Sequence, residues 1–185
     1  MKNTWKYIIT LICFFSISMT YAQSDEYDNL AWLDLGLNVN NVGPGVHAGI
    51  TTNYNLHLYS FNFSHSKTPD VFWLLDILDG KVVQEKVNEF SCLYGLVKRY
   101  KFINLYGQGG VGMVTGEKIV EEDIWNSSNT REKLSNFTSF GFSYKAGLDF
   151  VIGNYFGLGI ATNGNLNKDK PITGIIFSLK LGVMR

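Results

Sequence analysis

Cysteine, proline and charge are all scarce in this sequence. Its 185 residues include two cysteines and three prolines, and charged residues make up 17%. Cys13 lies in the apolar amino-terminal run, so a chain that has lost this run keeps Cys92 alone and can form no internal disulfide. There is no basic stripe of the kind that binds nucleic acid, and we therefore expect no nucleic-acid partner.

Long apolar runs are also missing beyond the amino terminus. Lys2 and Lys6 precede an apolar stretch at 8–19 of about a dozen residues, and Tyr21-Ala22 supplies a cleavage site, which together predict a secretory signal peptide over 1–22. The stretch is shorter than the roughly 20 residues of a transmembrane helix. Removing the two lysines from the 16 basic residues leaves 14 against 16 acidic ones. Residues 23–29 are polar and are predicted to form a flexible leader.

Glycine and aromatic residues are abundant, and they alternate with polar residues at a period of two. The clearest case is 101–113, KFINLYGQGGVGM, where the odd positions from Ile103 to Met113 are apolar or glycine and the even ones are mostly polar or glycine. This period indicates a strand with two different faces. The same pattern predicts eight strands, in order 30–40, 46–54, 56–66, 89–100, 101–113, 137–151, 155–165 and 172–183.

The predicted connections differ at the two ends of the strands. Those after strands 2, 4 and 6 are very short, whereas two of the others, 67–88 and 115–136, are long. Alternation alone also fits a soluble lipocalin-type barrel with its apolar face inside. The apolar face, however, is crowded with Phe, Tyr, Leu and Ile, which suit a narrow eight-stranded interior poorly, and most charges lie in the connections. Short turns at one end and long loops at the other are typical of membrane barrels.

Three aromatic residues on the apolar face lie beside the short turns. Tyr54, Tyr100 and Phe156 are therefore predicted to form an aromatic girdle at the periplasmic interface. A chain without a transmembrane helix can satisfy every backbone polar group in lipid as a closed barrel. We expect an all-β fold: an eight-stranded antiparallel up-and-down transmembrane β-barrel over 30–185, following a cleaved signal peptide.

The signal peptide, the eight alternating strands, the unequal ends and the Gly- and aromatic-rich last strand resemble the small outer-membrane β-barrels of the OmpA/OmpX-like and porin-family type. The resemblance covers about 30–185. It departs at the carboxyl terminus, Val183-Met184-Arg185, where the family usually ends in an aromatic residue. It implies an integral protein of the outer membrane of a Gram-negative-type cell, inserted by the barrel-assembly machinery and surrounded by outer-membrane lipid and lipopolysaccharide.

Five charged residues fall on the polar, inward face of the predicted strands: Asp34, Arg99, Lys145, Asp149 and Lys180. Closure of the barrel makes strands 1 and 8 neighbours, so we predict that Asp34 pairs with Lys180. One hypothesis is that these charges neutralise one another and fill a narrow lumen. The alternative is a narrow porin-like channel for ions or small solutes, lined by the same residues.

The other polar residues do not assemble a reaction centre by their spacing. His47 is predicted to point inward, while His57 and His65 lie near opposite ends of strand 3. An outer-leaflet lipid-modifying enzyme would need a His and a Ser within reach of each other, but His65 and Ser66 point to opposite faces. No His, Cys and Asp cluster has metal-ligand spacing. We expect no enzymatic activity, no metal and no cofactor.

The long connections remain as the candidate contact surface. Phe72, Trp73 and Leu74 form an apolar patch within 67–88, which is either part of a hairpin at the outer-leaflet interface or a docking site. The sequence therefore predicts a structural or surface-interaction role, with short turns in the periplasm and the loops 67–88 and 115–136 meeting an unknown extracellular partner.

Overall fold

The barrel consists of eight antiparallel strands, as predicted. A computed structural model describes residues 30–68, 85–123 and 130–184. The predicted signal peptide, the leader and the patch of Phe72, Trp73 and Leu74 lie outside these residues. The strands are β1 (Leu30–Asn40), β2 (Pro44–Tyr54), β3 (His57–Lys67), β4 (Lys86–Tyr100), β5 (Ile103–Asp123), β6 (Thr130–Ile152), β7 (Phe156–Leu166) and β8 (Ile172–Val183). Each pairs with its neighbour in sequence, and β1 pairs with β8 to close the barrel.

The apolar residues of each strand point outward, which confirms the membrane-barrel interpretation of the alternation. On β1, Leu33, Leu35, Leu37 and Val39 are exposed, while Trp32, Asp34 and Asn38 between them are buried. Exposed Phe, Tyr, Leu, Ile and Val side chains recur on the outward face around the barrel. An apolar surface of this extent far exceeds the patches found on soluble proteins and suits contact with acyl chains. Among the described residues, no helix is long and apolar enough to cross a membrane.

Tight turns close one end of the barrel. The turns at 55–56, 101–102 and 153–155 are short, and the first and the last of them contain a residue in a backbone conformation that favours Asn or Gly. Asn55 has a φ of 56° and Gly153 a φ of 68°, both in the left-handed region. At the other end the connections are 41–43, 68–85, 124–129 and 167–171. The unequal lengths of the two ends match the predicted pattern.

The predicted loop 115–136 was wrong. Most of it continues β5 and β6 as a two-stranded hairpin, in which Glu117 pairs with Asn136 and the ladder runs on to Asp123 and Thr130. Beyond Glu117, β5 loses β4 as a partner, and before Phe142, β6 has no β7 partner. The charged composition of this stretch suggested a loop, but polar residues are compatible with strands when both faces of a hairpin meet water.

Two buried apolar clusters close the interior at its two ends. The first lies at the short-turn end and comprises Leu30, Trp32, Leu58, Val97, Tyr106, Val151, Ala161 and Met184. The second lies at the long-loop end and comprises Val42, Val87, Val114, Phe137 and Ile172. Buried polar residues of the lumen, among them Asp34 and Lys145, lie between these clusters, whereas Arg99 and Asn104 lie closer to the short turn at 101–102.

Candidate functional site: the charged interior of the barrel

Asp34 is the centre of the charged interior. It lies on β1 with no exposed surface, because its position is inward on the alternating strand. Its Oδ2 atom accepts hydrogen bonds from Lys180 Nζ at 2.9 Å and from Lys145 Nζ at 2.7 Å. Lys180 lies opposite Asp34 in the β1–β8 ladder, where the sequence placed it, whereas Lys145 reaches Asp34 across the lumen from β6.

A second carboxylate balances the two lysines. Asp149 on β6 has no exposed surface, and its Oδ1 lies 3.4 Å from Lys180 Nζ. Lys180 also lies over the rings of Trp32 and Tyr106, at 5.7 and 5.4 Å from their centroids. Two carboxylates thus face two ammonium groups in a site without water access, and the aromatic faces supply further stabilisation of the cation.

His47 belongs to this site, although the sequence reasoning left it out. It is 4% exposed on β2. Its Nε2 lies 3.2 Å from Lys145 Nζ and 3.9 Å from Asp34 Oδ2. The inward parity of His47 was visible in the sequence, but its nearness to Lys145 depends on a contact across the lumen. Periodicity along one strand carries no information about such a contact.

Arg99 occupies a different part of the inward face. It is half-buried, lies opposite Asn104 in the β4–β5 ladder and is next to the turn at 101–102. Lys145 and Asp34 lie farther along the barrel axis. Four of the five predicted charges therefore form the buried group described above, and Arg99 lies beside the turn, two strands from Asp149 along the ladder.

A second polar network, around Glu89, was also missed. Glu89 is 6% exposed and accepts a hydrogen bond from Ser143 Oγ at 3.0 Å. Asn165 Nδ2 donates to the same Ser143 hydroxyl at 2.7 Å, and Asn167 Nδ2 donates to Asn165 Oδ1 at 3.0 Å. Gly112 leaves the space that this network occupies, since a Cβ there would collide with Ser143 Oγ. Glu89 shares its parity with Ser91, which was the signal available in the sequence.

Asn167 ties the second network to the β7–β8 turn at the barrel mouth. Its Oδ1 accepts from the N–H groups of Asp169 and Lys170 at 3.0 and 2.8 Å. Lys170 Nζ then donates to Glu85 Oε2 at 2.6 Å, and Lys118 Nζ donates to Asp169 Oδ1 at 3.2 Å. These ion pairs join the β7–β8 turn to β5 and to the residue that precedes β4.

Glu85 at the mouth is held in its charged form. Partial burial acts to raise its pKa, but hydrogen bonds from Lys170 Nζ and from the Ile119 N–H, together with the charge of Lys170, lower the pKa below its ordinary value of 4.5. The mouth contacts therefore have an electrostatic component that depends on an ionised Glu85.

Little space remains among the lumen side chains. A cavity of about 10 Å³ lies beside His47, Asn62, Glu89, Lys145 and Asn163. This volume is on the order of one water molecule. An eight-stranded barrel leaves just enough interior for its side chains, and here they fill it. The arrangement can neutralise charge and stabilise the wall.

A Ser–His pair does occur, but it is enclosed. His47 Nδ1 and Ser64 Oγ lie 3.0 Å apart, and both residues are buried in the lumen. The small neighbouring cavity could not admit an acyl group. His65 bonds Asn88 at 2.8 Å, while Ser66 points inward and bonds Asn40 at 2.7 Å. Among the described residues, no group of His, Cys, Asp and Glu is arranged to hold a metal ion.

The predicted girdle residues lie on the outer wall at the short-turn end. Tyr54 and Tyr100 are 61% and 51% exposed, and Phe156 is half-buried. Phe102 and Tyr155, which the sequence reasoning did not name, are also exposed beside these turns. Aromatic side chains thus ring this end of the barrel.

Several solved structures resemble this barrel in fold. The N-terminal β-barrel domain of Pseudomonas aeruginosa OprF matches with a TM-score of 0.55 at 9% identity, covering 85% of this chain and 99% of that one. Ail, the attachment invasion locus protein of Yersinia pestis, matches with a TM-score of 0.57 at 12% identity, covering 84% and 99%. The chain has the fold of a small outer-membrane β-barrel of the OmpA/OmpX-like type.

A designed transmembrane β-barrel shares this small-barrel fold, with a TM-score of 0.51 at 9% identity over 86% of this chain and all of the designed one. No protein-family model and no curated protein matches the sequence. These low identities mean that the likeness extends to the fold of the small outer-membrane barrels and not to what any one of them binds.

Proposed function

We propose that this protein is a sealed anchor in the outer membrane, which presents the β5–β6 hairpin and the neighbouring connections to the outside of the cell. The observation that carries the proposal is the filled lumen. Two apolar clusters lie toward its ends, the charged groups between them bond one another, and the cavity beside His47 and Lys145 has room for about one water. A barrel built in this way supports a structural or surface-interaction role better than a porin-like channel.

The lengths of the connections at the two ends support the proposed orientation of the barrel in the membrane. Short turns at the periplasmic side and longer connections outside are the usual arrangement of outer-membrane barrels. The hairpin extends past the barrel wall, and its edge at 130–141 on β6 lacks a β7 partner. Such an edge, together with charged side chains, is suited to an extracellular partner that adds a strand or binds the hairpin faces. Outer-membrane lipid and lipopolysaccharide would surround the wall.

The experiment that tests the sealed anchor combines two measurements. In the first, the membrane fraction is run on a detergent gel unheated and heated, and a mobility shift on boiling is expected for a detergent-resistant barrel. In the second, the purified protein is added to planar bilayers, where no steady conductance is expected. Stepwise, reproducible conductance would favour a channel, whereas a soluble protein without a shift would contradict the membrane location itself.

A shortened hairpin tests the surface role separately. Joining Glu117 to Asn136, which are partners in the ladder, through a two-residue Asn-Gly turn removes the projecting part. The barrel should keep its heat-dependent shift and lose any binding to whole cells or matrix that the natural chain supports. Equal binding by both proteins would assign the contact to another connection, such as 68–85.

The remaining parts of the proposal concern export and chemistry. We propose that the signal peptide at 1–22 is removed during export, that the barrel-assembly machinery inserts the chain, and that the protein is not an enzyme. The enclosed position of the His47–Ser64 pair supports the last point. Sequencing of the amino terminus of the mature protein tests the cleavage, and the location of the protein in cells depleted of the assembly machinery tests the insertion.

A further inference from the structure

An apolar groove of about 630 Å³ runs along the outer wall of the barrel across strands β2 to β5. Its lining includes Ile50, Tyr59, Phe61, Cys92, Tyr94 and Gly109. The groove lies in a part of the wall where the small residues Cys92 and Gly109 interrupt the outward faces of β4 and β5. Gly109, with no side chain, stands opposite Tyr94, and Val111 stands opposite Cys92. The groove is shallow and open along the wall, so it suits a chain-like molecule that lies against the barrel.

The groove has a polar edge toward the short-turn end. Tyr94 lines the groove and also hydrogen bonds through its hydroxyl to His57 Nδ1 at 2.7 Å. Their rings stack, with centroids 5.8 Å apart, and Tyr59 lies 5.4 Å from Tyr94. If Tyr94 donates to Nδ1, a neutral His57 keeps its Nε2–H; if Nδ1–H donates, the tyrosine O–H is left to donate. In either case the pair presents one donor to a further acceptor.

Positively charged residues lie near this edge in the part of the chain that the structure describes. Lys98 lies on the outward face of β4, two outward positions beyond Tyr94, with its Nζ 5.3 Å from the centroid of Tyr100. Lys101 follows in the adjoining turn. Among the described residues at the short-turn end, the acidic side chains are Asp34 and Asp149, and both point into the lumen. An anionic group at the membrane surface would therefore find hydrogen-bond donors at the groove edge and the ammonium group of Lys101 in the adjoining turn.

We propose that this groove is a binding site for one anionic glycerophospholipid, with an acyl chain along the apolar lining and the phosphate at the His57–Tyr94 pair. The inference rests on the proposed membrane location and orientation, since it assigns the headgroup to the periplasmic leaflet. Tyrosine suits the boundary because its ring is apolar and its hydroxyl is polar. The apolar lining excludes water and leaves the donor pair to select the headgroup.

The charges also favour a lipid over a second copy of the chain. Two copies in one membrane share the same orientation, so a two-fold interface at the groove would bring the same ends together. Lys98 and Lys101 of one copy would then lie near those of the other, and like charges disfavour such packing. An anionic lipid meets the same lysines with opposite charge.

Photo-crosslinking in vesicles tests the site. The probe is phosphatidylglycerol with a photoactivatable group in its acyl chain, present at a low fraction in phosphatidylcholine vesicles that contain the full-length mature barrel. Three variants are compared with the natural protein. Cys92→Phe fills the groove, and Tyr94→Phe keeps the ring and removes the hydroxyl. Leu158→Phe places a phenylalanine at an outward position of β7, which lies outside the groove.

Adducts are expected mainly on the β4 and β5 peptides, with labelling reduced about tenfold by Cys92→Phe and unchanged by Leu158→Phe. Tyr94→Phe should keep acyl labelling but reduce the preference for phosphatidylglycerol over a phosphatidylcholine probe. Even labelling around the barrel, or full labelling of Cys92→Phe, would overturn the site. Disulfide-linked dimers through Cys92 on mild oxidation would assign the groove to a second copy instead.

The heat-dependent gel shift keeps this test distinct from that of the sealed anchor. Proteins that show the shift but label evenly contradict the lipid site and leave the membrane location intact. A natural protein without the shift contradicts the location, and the lipid site with it.

Discussion

Replacing Asp34 with asparagine would remove the negative charge on which the interior of the barrel converges. The substitution keeps the shape of the side chain, so the principal change is electrostatic. In the natural protein both Lys145 and Lys180 donate to Asp34 Oδ2, at 2.7 and 2.9 Å. Without this carboxylate, the two buried ammonium groups would share Asp149, whose nearest contact is 3.4 Å from Lys180.

The expected cost follows from burial. Lys145 and Lys180 are each 2% exposed, so water cannot replace the lost partner. Removing one member of a buried ion pair typically costs about 3–5 kcal/mol, because the other charge is left uncompensated. We expect Asp34→Asn to lower the free energy of unfolding by about this amount. Adding Lys145→Met to Asp34→Asn, which removes one of the stranded charges at similar volume, should recover a large part of the loss.

Urea unfolding of the barrel in lipid vesicles, followed by the heat-dependent gel shift, measures these free energies. Lys145→Met alone completes the cycle and gives the coupling between the two residues. A loss below about 0.5 kcal/mol for Asp34→Asn, or additive effects in the double variant, would refute the reasoning. Such a result would mean that water or another group reaches the lysines in the folded barrel.

Three further outcomes follow from the wall, the mouth and the lumen. Phe177→Arg, near the middle of the outward face of β8, should cost about 2–4 kcal/mol in vesicles, whereas Leu134→Arg on the projecting hairpin should cost close to nothing; equal costs would contradict the lipid-facing assignment. The pKa of Glu85 is held below 4.5 in the folded protein. The stabilisation of the fold by ionised Glu85 is therefore present above that pH and is lost as the pH falls through the lowered value. The midpoint of thermal unfolding should therefore drop below about pH 4.5 in the natural protein, and Glu85→Gln should remove that drop; an unchanged drop in the variant would assign it to other groups. Gly112→Val should impair folding because its side chain enters the space of the Ser143 hydroxyl, and a normal gel shift at normal yield would show that the network can move aside.

The alternation of the chain was sufficient to predict the strands and their faces. A strand turns successive side chains to opposite faces, so each inward or outward assignment follows from parity once a strand is recognised. Strand order followed as well, since short turns join antiparallel neighbours and closure then pairs β1 with β8. The pairing of Asp34 with Lys180 could be predicted without further information, because β1 and β8 adjoin once the barrel is closed.

The stretch 115–136 shows where composition misleads. Its charges and polar residues are the same in a loop and in a hairpin whose two faces meet water. The backbone pairing of Glu117 with Asn136 decided between them, and pairing of this kind depends on both strands at once.

Which residues contact one another in the charged interior depended on the tertiary structure for a related reason. Parity places His47, Glu89 and Lys145 inside, but it cannot say which inward residues meet across the lumen. That depends on the stagger between strands that are not neighbours, which the closure of the barrel sets as a whole. Lys145 and Asp34 are 111 positions apart, yet they form the shortest ion pair of the buried group. The sequence by itself determined a barrel with a polar interior, and the tertiary structure decided which of the inward residues meet across the lumen.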